Sequence, residues 1–219
     1  MLPPFFTPAP GFPEAKAIIA SFHEALRQAP PTRLVVLLSS IGSQQTSGLG
    51  MITATCLSGR LCRAGSFLEN YTSGLKSAAS TGWFDTYLTP TNRAVPMVAT
   101  EDIGKEIAHL LIVDFMQDRK GAPRGKKGVG GDKKVVELGS PISPDSLARA
   151  MSEVLGRPVR ARSIPREQWT ASLEAQGLPP GFIGPFLEME GGFNSGWIDF
   201  GVPGTEPVAG TATPAQVFE

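Results

Sequence analysis

The sequence predicts an α/β fold built around a parallel sheet, on three observations. An amphipathic stretch ends in two prolines and leads at once into "LVVLLSSIG", residues Leu34 to Gly42, five apolar residues running into two serines and a glycine. An uninterrupted apolar run of that kind is expected of a parallel strand covered on both faces. Farther along, apolar strand-like runs alternate with capped helical patterns, as βαβ units require.

Taken in order, Glu14 to Gln28 puts Ala15, Ile18, Ile19, Phe22 and Leu26 on one stripe, the period of a helix, and Pro30 and Pro31 stop it. Leu34 to Leu38 is the strand that follows. Together they form the later half of a βαβ unit, whose first strand is missing or survives only as Met1 to Pro4. Beyond a polar loop, "MITATCL" is too short and too β-branched for a helix, and "RLC" is too short for a core strand. Leu68 to Ala79 is compatible with a helix. "AVPMVA" reads as a strand, and Thr100 as the N-cap of a helix with Ile103, Ile107, Leu110 and Leu111 on one face.

Residues Asp118 to Lys134, "DRKGAPRGKKGVGGDKK", offer nothing to bury and read as a loop or disordered insertion. "GAPRGKKG" is not a phosphate-binding loop: its spacing, the residue after its lysine and the absence of a following apolar helix all depart from that motif. "KVVELGS" is a strand. Ser143 then caps a helix with Pro144 at its first position, Leu147, Met151 and Leu155 on its face, and Gly156 at its end. "PVRARSI" is a further strand and "PREQWTASLEAQG" a helix stopped by Gly177. Phe182 to Met189 is compatible with a last helical piece, and the tail after Phe200 looks mostly irregular.

Composition narrows the function classes. The 219 residues carry 20 Lys plus Arg against 20 Asp plus Glu, so no overall field attracts nucleic acid or an anionic membrane. No apolar run approaches the ~20 residues needed to span a bilayer. The start, "MLPPFFTPAPGFPE", has no basic leader, and the expectation is a cytoplasmic protein. Cys56 and Cys62 are the only cysteines, and neither His23 nor His109 lies near them in sequence. No metal site is expected, and the thiols read as reduced and structural.

Catalytic machinery is not evident. Glu188 and Glu190 are the nearest pair of carboxylates, but residues two apart on a helix face different ways, and both read as solvated surface charge. No G-x-S-x-G elbow surrounds any serine, and the histidines read as surface or boundary residues. A Tyr/Lys dyad of the dehydrogenase kind wants the two residues four apart. Tyr71 and Lys76 are five apart, and five steps of about 100° leave the side chains roughly 140° from each other if the segment is helical.

Several stretches, in order, are similar to the NmrA-like family of atypical short-chain dehydrogenase relatives. They are "LPP", "VVLLSSIGSQQTSGLG", "RAGSFLENY", "VPMVATEDIGKEIAHLL", "VVELGSPISPDSLARAMSEVLGRPVRA" and "FNSGWIDF". The resemblance runs from Met1 to about Phe200. It implies a Rossmann-type doubly wound parallel sheet with a small C-terminal α/β lobe, and NAD or NADP lying across the carboxyl ends of the strands. It also implies site residues: Leu2, Pro3 and Pro4 ending a strand beside the cofactor, Ser39 and Ser40 near the nicotinamide ribose, Ala64, Gly65, Ser66 and Phe67 along the nicotinamide, and Asn70 facing the substrate cleft. Small residues and free backbone groups would let a flat ring approach, with an aromatic packing beside it.

The chain departs from the family at two places. Family members begin with a strand, a G-x-x-G-x-x-G turn and a helix that receives the pyrophosphate, and this sequence starts after them. Before "RAGSF" it has only "TATCLSGRLC" where the family has a full helix and strand. The expected fold is therefore an incomplete Rossmann-type sheet from a truncated chain. Residues 1–114 would form the later part of the nucleotide-binding domain, 115–134 a flexible basic loop, 135–200 a substrate-side lobe with a returning strand, and 201–219 an irregular tail. Exposing large apolar side chains costs about 1.5–3 kcal/mol each against a total stability of about 5–15, so lost neighbours would impair the protein.

The functional expectation is an NAD(P)H-dependent reductase of quinone-like or other small acceptors, impaired by truncation. Hydride transfer to an electron-poor acceptor needs little acid–base help. The alternatives are a non-catalytic NAD(P) redox sensor that reports to a regulatory protein partner, or an inactive fragment.

Overall fold

The structure is a computed structural model that describes residues 13–29, 35–50, 60–119 and 134–219. In chain order the strands are β1 (Val36–Ser40), β2 (Arg60–Ala64), β3 (Ser66–Phe67), β4 (Trp83–Thr86), β5 (Val95–Val98), β6 (Lys134–Leu138), β7 (Ser140–Ile142), β8 (Arg160–Ser163) and β9 (Glu206–Val208). The helices are α1 (Pro13–Gln28), α2 (Leu75–Thr81), α3 (Thr100–Arg119), α4 (Pro144–Leu155), α5 (Trp169–Ala175), α6 (Pro180–Ser195) and α7 (Pro214–Phe218). Two 3₁₀ helices, Leu68–Gly74 and Arg166–Gln168, precede α2 and α5.

The expected parallel sheet is present. Four strands run in the order β1-β2-β6-β9, every neighbouring pair parallel. The strand drawn from "LVVLLSS" sits two residues later than Leu34 to Leu38 and takes in both serines. It is also less enclosed than expected: all five of its residues are only partly buried, because β1 is an outer strand of this sheet among the described residues. On α1, Phe22 is 52% exposed, so this end of the predicted apolar stripe does not reach a core.

The middle of the sheet belongs to a strand that looked too short. β2 pairs with β1 on one side and β6 on the other, and Leu61, Cys62, Arg63 and Ala64 are all buried. Its arginines hide it in the sequence. Arg63 stands in register with Glu137 of β6, and their charged groups approach to 3.8 Å with side chains only 8% and 2% exposed. Glu137 Oε2 accepts a second contact from the Gly201 N–H at 2.8 Å. A buried ion is tolerable only with such partners. Burial lowers the Arg63 guanidinium from its usual range, while Glu137 opposes that effect.

On the other face of β2 and β6, Cys62, Ala64, Val136 and Leu138 join Ile103 and Leu110 of α3 in one apolar cluster. Leu111 does not share that face; it is 45% exposed, one helical step of about 100° beyond Leu110. Cys62 is a free, buried thiol pushed up to about 12, by burial first and by Glu106 second, which fits a structural role. Cys56, the side chain of His23 and residues 120–133 lie outside what is described, while His109 is exposed.

Thr100 is not the N-cap of α3. The helix starts on the Ala99 carbonyl, which accepts from Ile103 N–H at 3.3 Å. The cap comes from elsewhere in the chain: Glu69 Oε1 accepts from the Thr100 N–H at 2.7 Å and from its hydroxyl at 2.6 Å. An acidic group suits a helix N-terminus. Asp102, in the first turn, is 4% exposed and accepts from the Thr211 and Ala212 N–H groups at 2.7 and 2.9 Å. Burial pushes its carboxyl up, but these bonds and the Thr211 hydroxyl prevail and hold it below its usual value.

Those bonds tie down a tail that the sequence leads one to expect as irregular. β9 extends the main sheet beside β6, and Thr213 forms a capping box with Gln216 at the start of α7, which buries Phe218. The remaining strands form two small sheets, β3-β5-β7 and β4-β8. α4 has its Ser143 cap, Pro144 and Gly156 stop where the sequence placed them. Its buried Leu147 and Met151, with Leu155 packed alongside, meet Leu68, Phe84, Val95 and Met97 in the larger apolar cluster. Gly177 takes φ +79 after α5. No helix among the described residues is long and apolar enough to cross a membrane.

Gly65 joins the main sheet to the β3-β5-β7 sheet. Its N–H bonds the Leu138 carbonyl at 3.0 Å, and a Cβ there would stand 2.5 Å from the Pro96 carbonyl oxygen. Backbone cannot swing aside as a side chain would. Gly65→Ala should therefore cost at least about 1–3 kcal/mol of overpacking. Gly156→Ala, at φ +62 with nothing within 4 Å, should cost only the left-handed penalty of about 1 kcal/mol. Urea denaturation of both variants checks the ordering; equal losses would contradict the contact.

Candidate functional site

In an open parallel sheet the chemistry belongs outside the carboxyl ends of the strands. Here those ends are Ser40 of β1, Ala64 of β2 and Leu138 of β6. Ile41 N–H bonds the Ala64 carbonyl at 2.9 Å, and Ser43 N–H turns back onto the Ser40 carbonyl at 3.1 Å. The Ser39 hydroxyl donates to Ser43 Oγ at 2.9 Å.

The polypeptide after Gly65 places two hydroxyls beside this edge. Ser66 Oγ and Tyr71 Oη lie 3.2 Å apart, Ser66 from β3 and Tyr71 from the 3₁₀ helix Leu68–Gly74. The Tyr71 ring is held edge-on against Phe84, with centroids 6.2 Å apart and planes at 74°. Its phenol is pushed up to about 12, chiefly by burial, against the opposing bond from Ser66 and with a further push from the negative charge of Glu190.

Glu190 lies on α6. That helix is locked onto the loop after β1: Gly50 takes φ +53, and a Cβ there would stand 1.9 Å from the Pro185 carbonyl oxygen. Past the helix end, Trp197 Nε1 donates to the Ser47 carbonyl at 2.9 Å and Gln45 Nε2 to the Trp197 carbonyl at 3.3 Å. The Glu190 side chain has no hydrogen bond or ion pair among the described residues. Burial pushes its carboxyl up to about 7. Desolvation without a compensating partner has that sign for an acid.

The residues expected at a cofactor are placed as follows. Leu2, Pro3 and Pro4 lie outside the described residues. Ser39 and Ser40 end β1 but are adjacent on a strand, so their side chains leave on opposite faces. Ala64 is 1% exposed, with its side chain in the cluster under α3, and Phe67 packs against the same cluster. Gly65 and Ser66 are at the strand ends, and Asn70 is exposed. The structure thus brings Ser66 together with Tyr71, which the sequence does not mark as a site residue. Lys76 is exposed and apart from the Tyr71 hydroxyl's partners, in line with the spacing argument.

Glu188 is exposed, as expected, whereas Glu190 is partly buried, and that burial raises its carboxyl. The available signal was context: Glu190 sits within "FIGPFLEMEGGF", an apolar helix with few other charges. Two open clefts lie elsewhere, around β4 and β8. One of about 410 Å³ is lined by Trp83, Arg149 and Arg160, and the other, of about 670 Å³, by Asp85, Arg162 and Gln168. No group of His, Cys, Asp and Glu among the described residues could hold a metal ion.

No family model and no curated protein matches the chain. Solved structures do. A nucleoside-diphosphate-sugar epimerase from Staphylococcus aureus superposes with a TM-score of 0.65 at 14% identity, over 98% of this chain and 75% of its own. An NADPH-dependent quinone oxidoreductase from Escherichia coli, complexed with NADPH, gives 0.61 at 20% identity, over 88% of this chain and 66% of its own. A triphenylmethane reductase from Citrobacter, complexed with NADP(H), gives 0.62 at 16% identity, over 90% and 68%. The fold is a Rossmann-like α/β fold. The chain spans about two thirds to three quarters of the length of these proteins.

Glu190 makes stability depend on pH in a defined direction. Its folded value is raised, so its contribution is intact below the usual 4.5 and is lost as pH rises towards about 7. Glu190→Gln removes that loss. Each tenfold change in proton affinity is worth roughly 1.4 kcal/mol, so relative to the parent the variant should gain up to about 3 kcal/mol between about pH 4 and about pH 8. Urea denaturation at the two pH values checks this, and a variant with no relative gain would place the carboxylate in water.

Proposed function

We propose that this chain is an NmrA-like, NAD(P)-binding protein acting as an NAD(P)H-dependent reductase of quinone-like or other small, electron-poor acceptors. The observation that carries this reading is the Ser66–Tyr71 hydroxyl pair at the carboxyl ends of parallel strands, directly after a glycine with no room for a side chain. Two of the similar structures are reductases holding NADPH or NADP(H), which supports the same assignment.

Ser39, Ser40, Gly65, Ser66 and Phe67 would hold the nicotinamide end, with Ala64 contributing backbone only. When bound, the reduced cofactor supplies a hydride. The chain's own part is to orient the acceptor. Tyr71 keeps its proton across the physiological range and serves as a hydrogen-bond donor to an acceptor oxygen, alongside Ser66. The separation of Tyr71 from Lys76 favours a second reading, in which the protein binds the cofactor, does not turn it over and reports its redox state to a regulatory protein.

Fluorescence titration with NADPH and NADH, followed by consumption assays with menadione, separates these readings. The reductase reading expects dissociation constants between about 1 µM and 1 mM and steady consumption. Tyr71→Phe and Ser66→Ala should each lower turnover about tenfold to a thousandfold with little change in cofactor affinity. Binding without consumption would leave the sensor, and no binding by either cofactor would overturn both.

A further inference from the structure

Independently of that reading, we propose that the cleft between α4 and the β4-β8 pair is a second binding site, one that takes a small planar organic monoanion such as an aromatic carboxylate.

The cleft encloses about 410 Å³. Small-molecule sites usually fall between about 300 and 1,000 Å³. Two ties fix its frame. On one side, Ser152 of α4 accepts from the Val159 N–H at 2.9 Å and donates to the Ala148 carbonyl at 2.8 Å, which holds the helix against the start of β8. On the other, β4 and β8 pair in register, with Trp83 opposite Arg160 and Asp85 opposite Arg162. Neighbouring strands lie about 4.8 Å apart, so Trp83 and Arg160 leave the pair side by side on its exposed face.

The polar groups on this frame divide into those with partners and those without. Arg162 is committed: it forks onto Asp85 at 2.7 and 3.0 Å and lies over the Trp83 ring, 5.4 Å from its centroid, which orients the indole. Arg157 donates to the Ala79 carbonyl. The side chains of Arg149 and Arg160 have no hydrogen bond or ion pair among the described residues, and neither has the Trp83 indole N–H. Trp83 is 37% exposed although it is a large apolar side chain.

Two uncommitted guanidinium groups, an oriented aromatic ring and apolar walls of Ala148, Val159 and Ala161 together define the ligand. A guanidinium recognises a carboxylate through two parallel N–H bonds. The indole offers a stacking partner to a flat ring. Charge sets the upper limit, because Asp145 also lines the cleft and makes no ion pair with Arg149 one helical turn away. Two cations against one anion leave a surplus of one positive charge, which a single carboxylate matches and a polyphosphate overshoots.

The test is calorimetric titration of the full chain with 2-naphthoate and with 2-naphthamide, which keeps the ring and loses the charge. Naphthoate should bind at about 1 mM or tighter, within reach of a ligand of its size, and the amide about tenfold more weakly. Arg149→Gln and Arg160→Gln should each weaken naphthoate about tenfold, and Trp83→Leu about threefold to tenfold. Asp145→Asn should tighten it about twofold to fivefold, a gain that no loss of structure would produce. Trp83, Arg149 and Arg160 are exposed, so urea denaturation should find these variants close to the parent in stability. No binding at about 10 mM, equal affinity for acid and amide, or binding that the arginine variants leave unchanged overturns the proposal. Displacement of naphthoate by NADPH or by a short oligonucleotide overturns it as well, since the cleft would then be a polyanion site.

Discussion

Gly65 has room for no side chain, and the path of the polypeptide through that point decides what stands at the edge of the sheet. Up to Ala64 the chain is a buried strand between β1 and β6; from Ser66 it belongs to a different sheet, paired with β5. The change of sheet is possible because the backbone passes so near the Pro96 carbonyl oxygen that a Cβ would stand 2.5 Å from it. Everything downstream inherits its position from that crossing. Ser66 meets Tyr71, Leu68 enters the larger apolar cluster, and Glu69 reaches the first turn of α3.

Around this crossing the carboxylates divide by what they touch. Glu69, Asp102 and Glu137 each accept from backbone N–H groups, and their work is to fasten the 3₁₀ helix to α3, the tail to α3 and a loop to the sheet. Glu190 is desolvated without such bonds. A desolvated acid without partners adds nothing to stability in its charged form.

Legibility in the sequence follows the range of the interactions. α4 is readable to its ends, because a serine cap, a proline in the first turn and a glycine stop are local signals. The "TPAQ" capping box of α7 is equally local, but the glycine-rich tail around it conceals it. β2 is not readable: its two arginines break the apolar pattern, and what makes Arg63 tolerable is a glutamate 74 positions later, found only once β2 and β6 pair. The cap on α3 is misleading for the same reason, since Thr100 looks like a cap and the true acceptor, Glu69, lies 31 residues upstream. Beside the strand ends, the resemblance singles out Gly65 and Ser66 and passes over Tyr71. Tyr71 invites comparison with Lys76, a helical partner, when its partner is Ser66 five residues before it.

The central claim is that the edge formed by Ser39 to Ser43, Gly65, Ser66 and Tyr71 receives the nicotinamide end of a dinucleotide. Backbone amide shifts recorded by NMR during NADPH titration test it most directly. The account predicts that the largest saturable shifts fall at Gly65, Ser66 and Tyr71 and in the turn after β1. Shifts gathered instead around the cleft of Trp83, Arg149 and Arg160, or none at millimolar NADPH, would contradict it.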